Sequence, residues 1–396
     1  MRKNWVLLFI AGLLSFANLQ AQSYSDSTEI KFSGFVKADY VYDSRAIVDS
    51  RENLLLFYPK DNSDPSHDNP TYNQYALISR VRADISGAEI WNAKSSAAIE
   101  ADFSGVSNTD IDGLRLRHAY LKLDWENTSL LFGQYWHPLT VPGAFPKVLS
   151  LNIGAPFHAF NRGPQIRVDH QRGNFKFIGS IITQRDFANN GPLGYTPKYM
   201  YKGGHPDFQG QIHYSFKNWT LGFGGGYKAL APALETFNTD TKIGSYSAVG
   251  FIRHETKRSR FVIQSVYGEN LYDQLMMGGY TIFNENMNER PVMQNEPTAT
   301  IWADYSRSFG ENWKAGLFAG FAKNYTENII SPDTDCYARG KDIGYVYRIA
   351  PRVLKNINNL MAGFESEYTV AMYQKAGQKD DAAENLRLSL ILIYRF

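Results

Sequence analysis

Nine charged residues have the types and the spacing to act together on a charged solute. They are Arg80, Arg82, Glu100, Asp102, Arg115, Arg117, Lys147, Arg162 and Arg167. Six of them form pairs two residues apart, which places both members of a pair on the same face of an extended strand. Clustered guanidinium groups attract anions, although each arginine has an equally good interpretation as the partner of a neighbouring acid.

Catalysis and metal binding have weaker support in the sequence. His118, Asp102 and Ser104 supply the residue types of a hydrolase triad, but no GxSxG, HExxH or P-loop motif accompanies them. Asp333 and Asp335 lack the ligand series of a calcium loop. The single cysteine excludes internal disulfides, multi-cysteine zinc sites and iron–sulfur clusters. We therefore expect no enzyme activity, no cofactor and no metal.

The elements that position these charges are predicted by strict alternation of apolar and polar residues. In residues 207–216, for example, Phe208, Ile212 and Tyr214 share one face, and glutamine and histidine take the other. Sixteen segments show this pattern: 30–43, 75–86, 94–103, 114–125, 129–136, 164–170, 175–184, 207–216, 219–229, 244–255, 260–270, 298–309, 313–323, 343–353, 360–373 and 385–396. The fold class is therefore all-β.

The connections between these segments alternate in length. Those after even-numbered strands have two to seven residues, whereas those after odd-numbered strands have ten or more. Outer-membrane barrels have short periplasmic turns and longer extracellular loops, and a soluble sandwich has no reason to sort its loops in this way. We therefore predict a closed antiparallel transmembrane barrel of about sixteen strands. A secreted β-sandwich is the alternative.

The two ends of the chain predict export to a cell envelope. Residues 1–21 combine a basic start, a short apolar stretch and small residues near the end, which is the layout of a signal peptide. Residues 22–396 would then form one barrel domain. The last strand carries leucines on one face and ends in Tyr394, Arg395 and Phe396. Such a terminal strand resembles those that the barrel assembly machinery of the outer membrane reads.

Composition excludes several classes of protein. Removing the leader takes Arg2 and Lys3 from the 41 basic residues and leaves 39 basic and 39 acidic residues. Nucleic-acid binding is not expected at that balance. No stretch outside the leader approaches about 18 continuous apolar residues, so a transmembrane helix is not expected either. Only residues 22–29 precede the first strand, too few for the plug domain of an energised transporter.

The fourth predicted strand requires an irregularity. Arg115 and Arg117 share their parity with Leu121 and Leu123. An arginine in contact with lipid near the bilayer centre would cost about 2 to 4 kcal/mol. Keeping both arginines in the lumen and both leucines in lipid demands a change of parity, so we predict a β-bulge near His118.

The third long connection, residues 137–163, is too apolar to extend into water. Its sequence is HPLTVPGAFPKVLSLNIGAPFHAFNRG, with four prolines, Lys147 and Arg162 as its only strongly basic residues, and no acid. A segment of this kind is better covered than solvated. At this point the sequence resembles sixteen-stranded porins, in which the third loop bends into the lumen and narrows it.

A narrower resemblance rests on four motifs in the first half of the chain. GFVKADYVYDSR at 34–45, AAIEADFSG at 97–105, LRLRHAYLKL at 114–123 and FGQYWHP at 132–138 are similar to DcaP-like trimeric porins. The resemblance implies a homotrimer in outer-membrane lipid that passes small hydrophilic, carboxylate-bearing solutes. The nine charged residues named above would line the solute path and favour anions. Two alternative functions stay open, a surface adhesin that uses loops 44–74 and 271–297, and an outer-membrane hydrolase.

Overall fold

The computed structural model describes residues 28–232, 241–283, 292–325, 334–374 and 380–396. The predicted signal peptide and Asp333 lie outside these ranges. Within them, no helix is long and apolar enough to cross a membrane.

Strands form most of the described chain, and sixteen of them make one sheet. We number these β1 to β16: Glu29–Asp43, Thr71–Tyr75 with Arg80–Ile90, Ala93–Asp102, Arg115–Asp124, Thr128–Trp136, Arg162–Arg172, Phe175–Ile182, Asp207–Phe216, Trp219–Leu230, Ile243–Glu255, Ser259–Gly268, Thr298–Phe309, Trp313–Asn324, Ile343–Ile357, Leu360–Tyr373 and Asp381–Arg395. Strand β2 has two segments because residues 76–79 leave the ladder, and the Ser79 hydroxyl accepts from the Lys37 backbone N–H at 3.0 Å.

The sheet closes on itself. Each strand pairs antiparallel with the next, and β1 pairs with both β2 and β16. Closure leaves no edge strand with unpaired backbone N–H and C=O groups, which is the condition for a sheet to cross hydrocarbon. The predicted closed antiparallel barrel of sixteen strands is confirmed.

The connections separate into two classes, as the sequence predicts. Turns after even-numbered strands are two or three residues long, for example 91–92, 173–174 and 217–218. Connections after odd-numbered strands are long, for example 44–70, 137–161 and 183–206. Two small sheets form within long connections: Ile47–Ser50 pairs with Leu55–Pro59, and Gly279–Phe283 pairs with Val292–Glu296 and Thr334–Cys336.

The two faces of the barrel differ as the alternation requires. On β8, Phe208 and Ile212 are exposed on the outer face, whereas Gln209 and Gln211 point inward and are buried. On β16, Leu386 and Leu390 face outward and Arg387 and Ser389 face inward. An apolar outer band is stable in lipid, because apolar surface is more favourable in hydrocarbon than in water.

The predicted bulge in β4 is present. In the register with β3, His118 pairs with Glu100 and Leu116 pairs with Ala101, so Arg117 is the extra residue. Arg115, Arg117 and His118 are all buried on the inner side, while Leu116 is exposed on the outer face. The bulge therefore keeps both arginines out of lipid.

Candidate functional site

The connection between β5 and β6, residues 137–161, contacts the inner face of the barrel at widely separated strands. Near its start, the Gln211 side chain of β8 donates to the Pro138 carbonyl at 2.8 Å. Arg253 of β10 donates to the Gly143 carbonyl at 3.0 Å. Asp304 of β12 accepts the backbone N–H of Lys147 at 3.1 Å. These contacts follow the wall at every second strand from β8 to β12.

The middle of this connection is held by a buried, inward-facing carboxylate further round the barrel wall. Glu365 of β15 accepts the backbone N–H groups of Leu149 at 2.9 Å and Ser150 at 3.0 Å. The Lys37 ammonium of β1 donates to the Leu149 carbonyl at 3.0 Å, and Arg348 of β14 donates to the Ala155 carbonyl at 2.7 Å. Hydrogen bonds to charged groups are the stronger kind, about 1.5 to 3 kcal/mol each.

Local sequence explains why residues 137–161 fold compactly. Pro138 and Pro142 each begin a short 3₁₀ turn, a position where the missing N–H has no cost. Val141 joins the two turns with a φ of 42°. Most of the apolar side chains that made a solvated loop implausible are buried, including Leu139, Val141, Phe157 and Phe160.

Glycines on the wall make room for these apolar side chains. A Cβ at Gly320 of β13 would lie 2.6 Å from the Phe157 ring, and one at Gly363 of β15 would lie 2.6 Å from Leu149. The glycines at 222, 224, 226 and 316 instead accommodate side chains of neighbouring strands. The contacts of Gly320 therefore indicate that it makes room for the connection.

The charged residues of β2, β3 and β4 form a continuous ion-pair network. Arg82 pairs with Asp84 at 2.6 Å and with Glu100 at 3.3 Å, and Arg80 approaches Glu100 at 3.5 Å. Arg117 bridges Glu100 at 2.7 Å and Asp102 at 2.8 Å. Arg80 and Arg82 keep part of their surface, with 22% and 24% of each side chain exposed.

Two further arginines are buried at the inner end of this network. Arg115 pairs with Asp102 at 2.8 Å and lies 3.6 Å from Asp186. Arg162 pairs with Asp186, and its guanidinium lies 4.6 Å from the centre of the Trp136 ring. Burial alone would raise the pKa of Asp186, but Arg162 and Arg115 outweigh that effect and hold it below the ordinary value. Asp186, on the connection between β7 and β8, has no place in the sequence prediction.

The nine predicted residues thus fall into three places. Seven of them belong to one network: Arg80, Arg82, Glu100, Asp102, Arg115, Arg117 and Arg162. Lys147 is exposed on the connection between β5 and β6. Arg167 lies on β6, where it pairs with Asp169 at 2.7 Å.

Arg167 lines a cavity at the short-turn end of the barrel, which we call the inner cavity. Its volume is about 320 Å³, and its roof includes Pro138, Pro142 and Gly143 of the β5–β6 connection. The charged lining residues are Lys122, Arg167, Lys176, Arg253 and Asp169. Four basic residues face one acid, so the lining is electropositive.

A second basic group on the opposite wall is absent from the sequence prediction. Arg260 of β11 and Arg352 of β14 approach Asp304 at 3.8 and 2.7 Å, and Arg253 approaches Glu255 at 3.8 Å. All three arginines have the inward parity of strands that the sequence does predict. Parity alone would have found them, but nothing in the sequence shows that they lie beside residues 137–161.

The residues of the imagined hydrolase triad do not form one. The Ser104 hydroxyl donates to Asp102 at 3.1 Å, while both Asp102 oxygens also accept from arginines. The His118 Nε2 lies 4.0 Å from Glu100, and its Nδ1 has no hydrogen-bond partner in the described structure. A relay needs serine bonded to histidine and histidine to the carboxylate.

Metal binding has no candidate in the described ranges, which contain no group of three or more histidine, cysteine, aspartate or glutamate residues placed to hold an ion.

Parts of two other long connections also bond to inward side chains of the barrel. Arg348 donates to the Leu56 carbonyl at 3.1 Å, and Arg387 donates to the Asn53 carbonyl at 2.8 Å. Further round the wall, Lys228 of β9 pairs with Asp273. Residues 54–58 and 275–277 are almost fully buried. These are portions of the loops that an adhesin would present to the outside.

Comparison with known proteins agrees with this architecture. The model of the DcaP outer membrane protein family matches residues 15–218, about half of the chain. No curated protein sequence matches significantly.

Solved structures show the same fold. The outer membrane channel DcaP of Acinetobacter baumannii has a TM-score of 0.72 at 16% identity, over 94% of this chain and 99% of that one. An anion-selective porin from Comamonas acidovorans has a TM-score of 0.58 at 9% identity, over 93% and 100% of the two chains. The trimer form of OmpT from Vibrio cholerae has a TM-score of 0.56 at 10% identity, over 94% and 100%. The closed barrel and the family match together place the protein in the outer membrane, and the chain belongs to the DcaP outer membrane protein family.

Proposed function

We propose that the protein is a passive porin for small hydrophilic anions, with residues 137–161 folded into the lumen as its constriction. The observation that carries this proposal is the set of hydrogen bonds from this connection to inward side chains of β8, β10, β12, β14, β15 and β1. Bonds from one segment to that many parts of a closed wall support a path for it across the lumen.

Charge supports the preference for anions. The network of β2 to β4, together with Arg162 and Asp186, has five arginines and four acids, and the inner cavity has four basic residues and one acid. Low-dielectric walls strengthen the field of such a surplus. We assign Arg80, Arg82 and Lys147, which keep exposed surface, and Arg167, which lines the inner cavity, to the solute path. We assign the buried residues Glu100, Asp102, Arg115, Arg117 and Arg162 to the structure of its wall.

The test is the reversal potential of the purified protein in a planar bilayer under a KCl gradient. Preferential permeation of chloride is expected. Arg253→Gln should reduce this preference because the side chain lines the inner cavity. Arg307→Gln removes the same charge from the outward face of β12 and is the matched control. Preference for potassium in the unmodified protein would overturn the proposal.

Assembly is part of the same proposal. A homotrimer is supported by the trimer form of the structurally similar Vibrio cholerae protein, and native mass spectrometry in detergent tests it. The outward leucines of β16 and the terminal Phe396 support recognition by the barrel assembly machinery after signal-peptide-directed export. Deleting Phe396 should slow insertion in cells, measured as the fraction of heat-modifiable barrel.

A further inference from the structure

A second and larger cavity lies at the long-loop end of the barrel, and we call it the outer cavity. Its volume is about 750 Å³. It is lined by residues of several long connections, and its lining includes six phenylalanine and tyrosine rings: Phe57, Tyr58, Phe187, Tyr195, Tyr272 and Tyr373. Flat rings around a space of this size suit a flat apolar group, because stacked or edge-on ring contacts add to the burial of area.

A buried arginine in the same cavity has two side-chain donors without a partner among the described residues. Arg51 is only 2% exposed, and its Nε and Nη1 have no hydrogen-bond partner among the described residues. Its guanidinium lies 5.5 Å from the centre of the Phe187 ring. Burial, reinforced by the nearby Arg115, lowers the pKa of Arg51. A buried cation with unmet donors is costly, and an anion that reached it would relieve that cost.

A second guanidinium is held by rings and carbonyls. Arg339 lies 4.4 Å from the Phe57 ring centre and 3.9 Å from that of Tyr272. Its Nη1 donates to the carbonyls of Tyr272 and Met276 at 3.0 and 2.7 Å. Because these carbonyls are neutral, they do not offset the positive charge of Arg339. The charged lining residues of the cavity are Arg51, Lys60, Arg339, Lys341, Asp49, Asp61 and Asp342.

We propose that the outer cavity binds a planar aromatic anion, with Arg51 taking the anionic group and the surrounding tyrosine and phenylalanine rings taking the flat ring. The inference rests on the proposed function, because the bound anion is a solute that enters the channel from the long-loop side. Recognition depends on both halves of the ligand: charge without a ring leaves the aromatic wall empty, and a ring without charge leaves Arg51 unmatched.

The first experiment measures block of the chloride current by ligands added at the long-loop side of a planar bilayer. Benzoate and phenyl phosphate should block. Acetate and inorganic phosphate, which lack the ring, and benzamide, which lacks the charge, should require at least about tenfold higher concentrations. Equal block by acetate and benzoate, or by benzamide and benzoate, would overturn the proposal.

Substitution of the buried arginine gives the second test. Arg51→Gln should weaken block by benzoate by about 10- to 100-fold, the equivalent of one charge-assisted hydrogen bond. Arg172→Gln removes a guanidinium at the short-turn end of β6, where the side chain is exposed, and should leave the block unchanged. Heat-modifiable migration verifies that both variants are folded. A folded Arg51→Gln channel with unchanged benzoate block contradicts the assignment.

The only cysteine of the chain provides a readout that does not depend on current. Cys336 is partly buried and lines the outer cavity. Saturating benzoate should slow its reaction with a small thiol reagent at least fivefold, and acetate should not. Cys336→Ser gives the unlabelled background. Labelling at the same rate with and without benzoate counts against the site.

The two proposals can fail separately. A chloride-selective channel that benzoate neither blocks nor protects would remove the outer site and leave the porin assignment intact. Benzoate protection of Cys336 in a potassium-selective channel would do the reverse.

Discussion

Glu365 gives the sharpest test of how residues 137–161 are held. Its two carboxylate oxygens accept the N–H groups of Leu149 and Ser150 at 2.9 and 3.0 Å, and the side chain is fully buried. Each hydrogen bond contributes about 0.5 to 1.5 kcal/mol, so Glu365→Ala removes at least about 1 kcal/mol from the held state. At about 1.4 kcal/mol per factor of ten, the displaced-to-held ratio rises at least about fivefold.

Single-channel recording measures that ratio directly. The expected result is a large increase in the time spent in states of higher conductance, because a displaced connection leaves a wider lumen. Glu384→Ala is the matched control, since Glu384 is an exposed carboxylate on the neighbouring strand whose side chain, among the described residues, accepts from the Tyr368 hydroxyl alone. A folded Glu365→Ala channel with the same dwell times as Glu384→Ala would refute the assigned role of the tether.

Four other substitutions have directions set by the structure. Asp102→Asn removes the carboxylate that Arg115 and Arg117 share, although Asp186 and Glu100 stay beside them, and should lower the free energy of unfolding by about 1.5 to 3 kcal/mol in urea titration. Asp84→Asn, at a half-exposed pair, should cost about 0 to 1 kcal/mol. Gly320→Val drives a Cβ into the Phe157 ring and should destabilise the barrel by about 1 to 3 kcal/mol, measured the same way. Lys147→Gln should shift the reversal potential in a KCl gradient away from chloride.

Each of these has an outcome that would contradict it. Equal urea midpoints for Asp102→Asn and Asp84→Asn would mean that water reaches the network and screens it. Unchanged stability of Gly320→Val would mean that Phe157 does not pack against β13. An unaltered reversal potential for Lys147→Gln would remove this residue from the solute path.

The strands, their number and their faces were predictable because a barrel repeats one simple rule. Each strand crosses lipid on one side and lumen on the other, so polarity alternates with a period of two. The same rule located the bulge, since Arg115 and Arg117 share parity with leucines that must face lipid. The connection lengths also predicted which ends of the strands meet at the long-loop side of the barrel, because only one end of such a sheet carries long loops.

Contacts between distant segments were not predictable in this way. The sequence shows Glu365 as one more inward acid of β15, and nothing near it indicates that it binds backbone 215 and 216 residues away. Asp186 was not predictable for the same reason, since it lies on a long connection and the alternation of polarity does not determine the path of such a connection. Parity also shows that Arg253 points inward without showing what it meets.

The sequence by itself determined a closed sheet of sixteen strands with an apolar exterior, because strand period and turn spacing are local properties. Only the tertiary structure decided which charges pair and which remain available. Closing the barrel brings together strands that are far apart in sequence, and their inward side chains bond to three long connections. Arg115 is therefore buried among acids, whereas Arg51 keeps unmet donors in a cavity lined with aromatic rings.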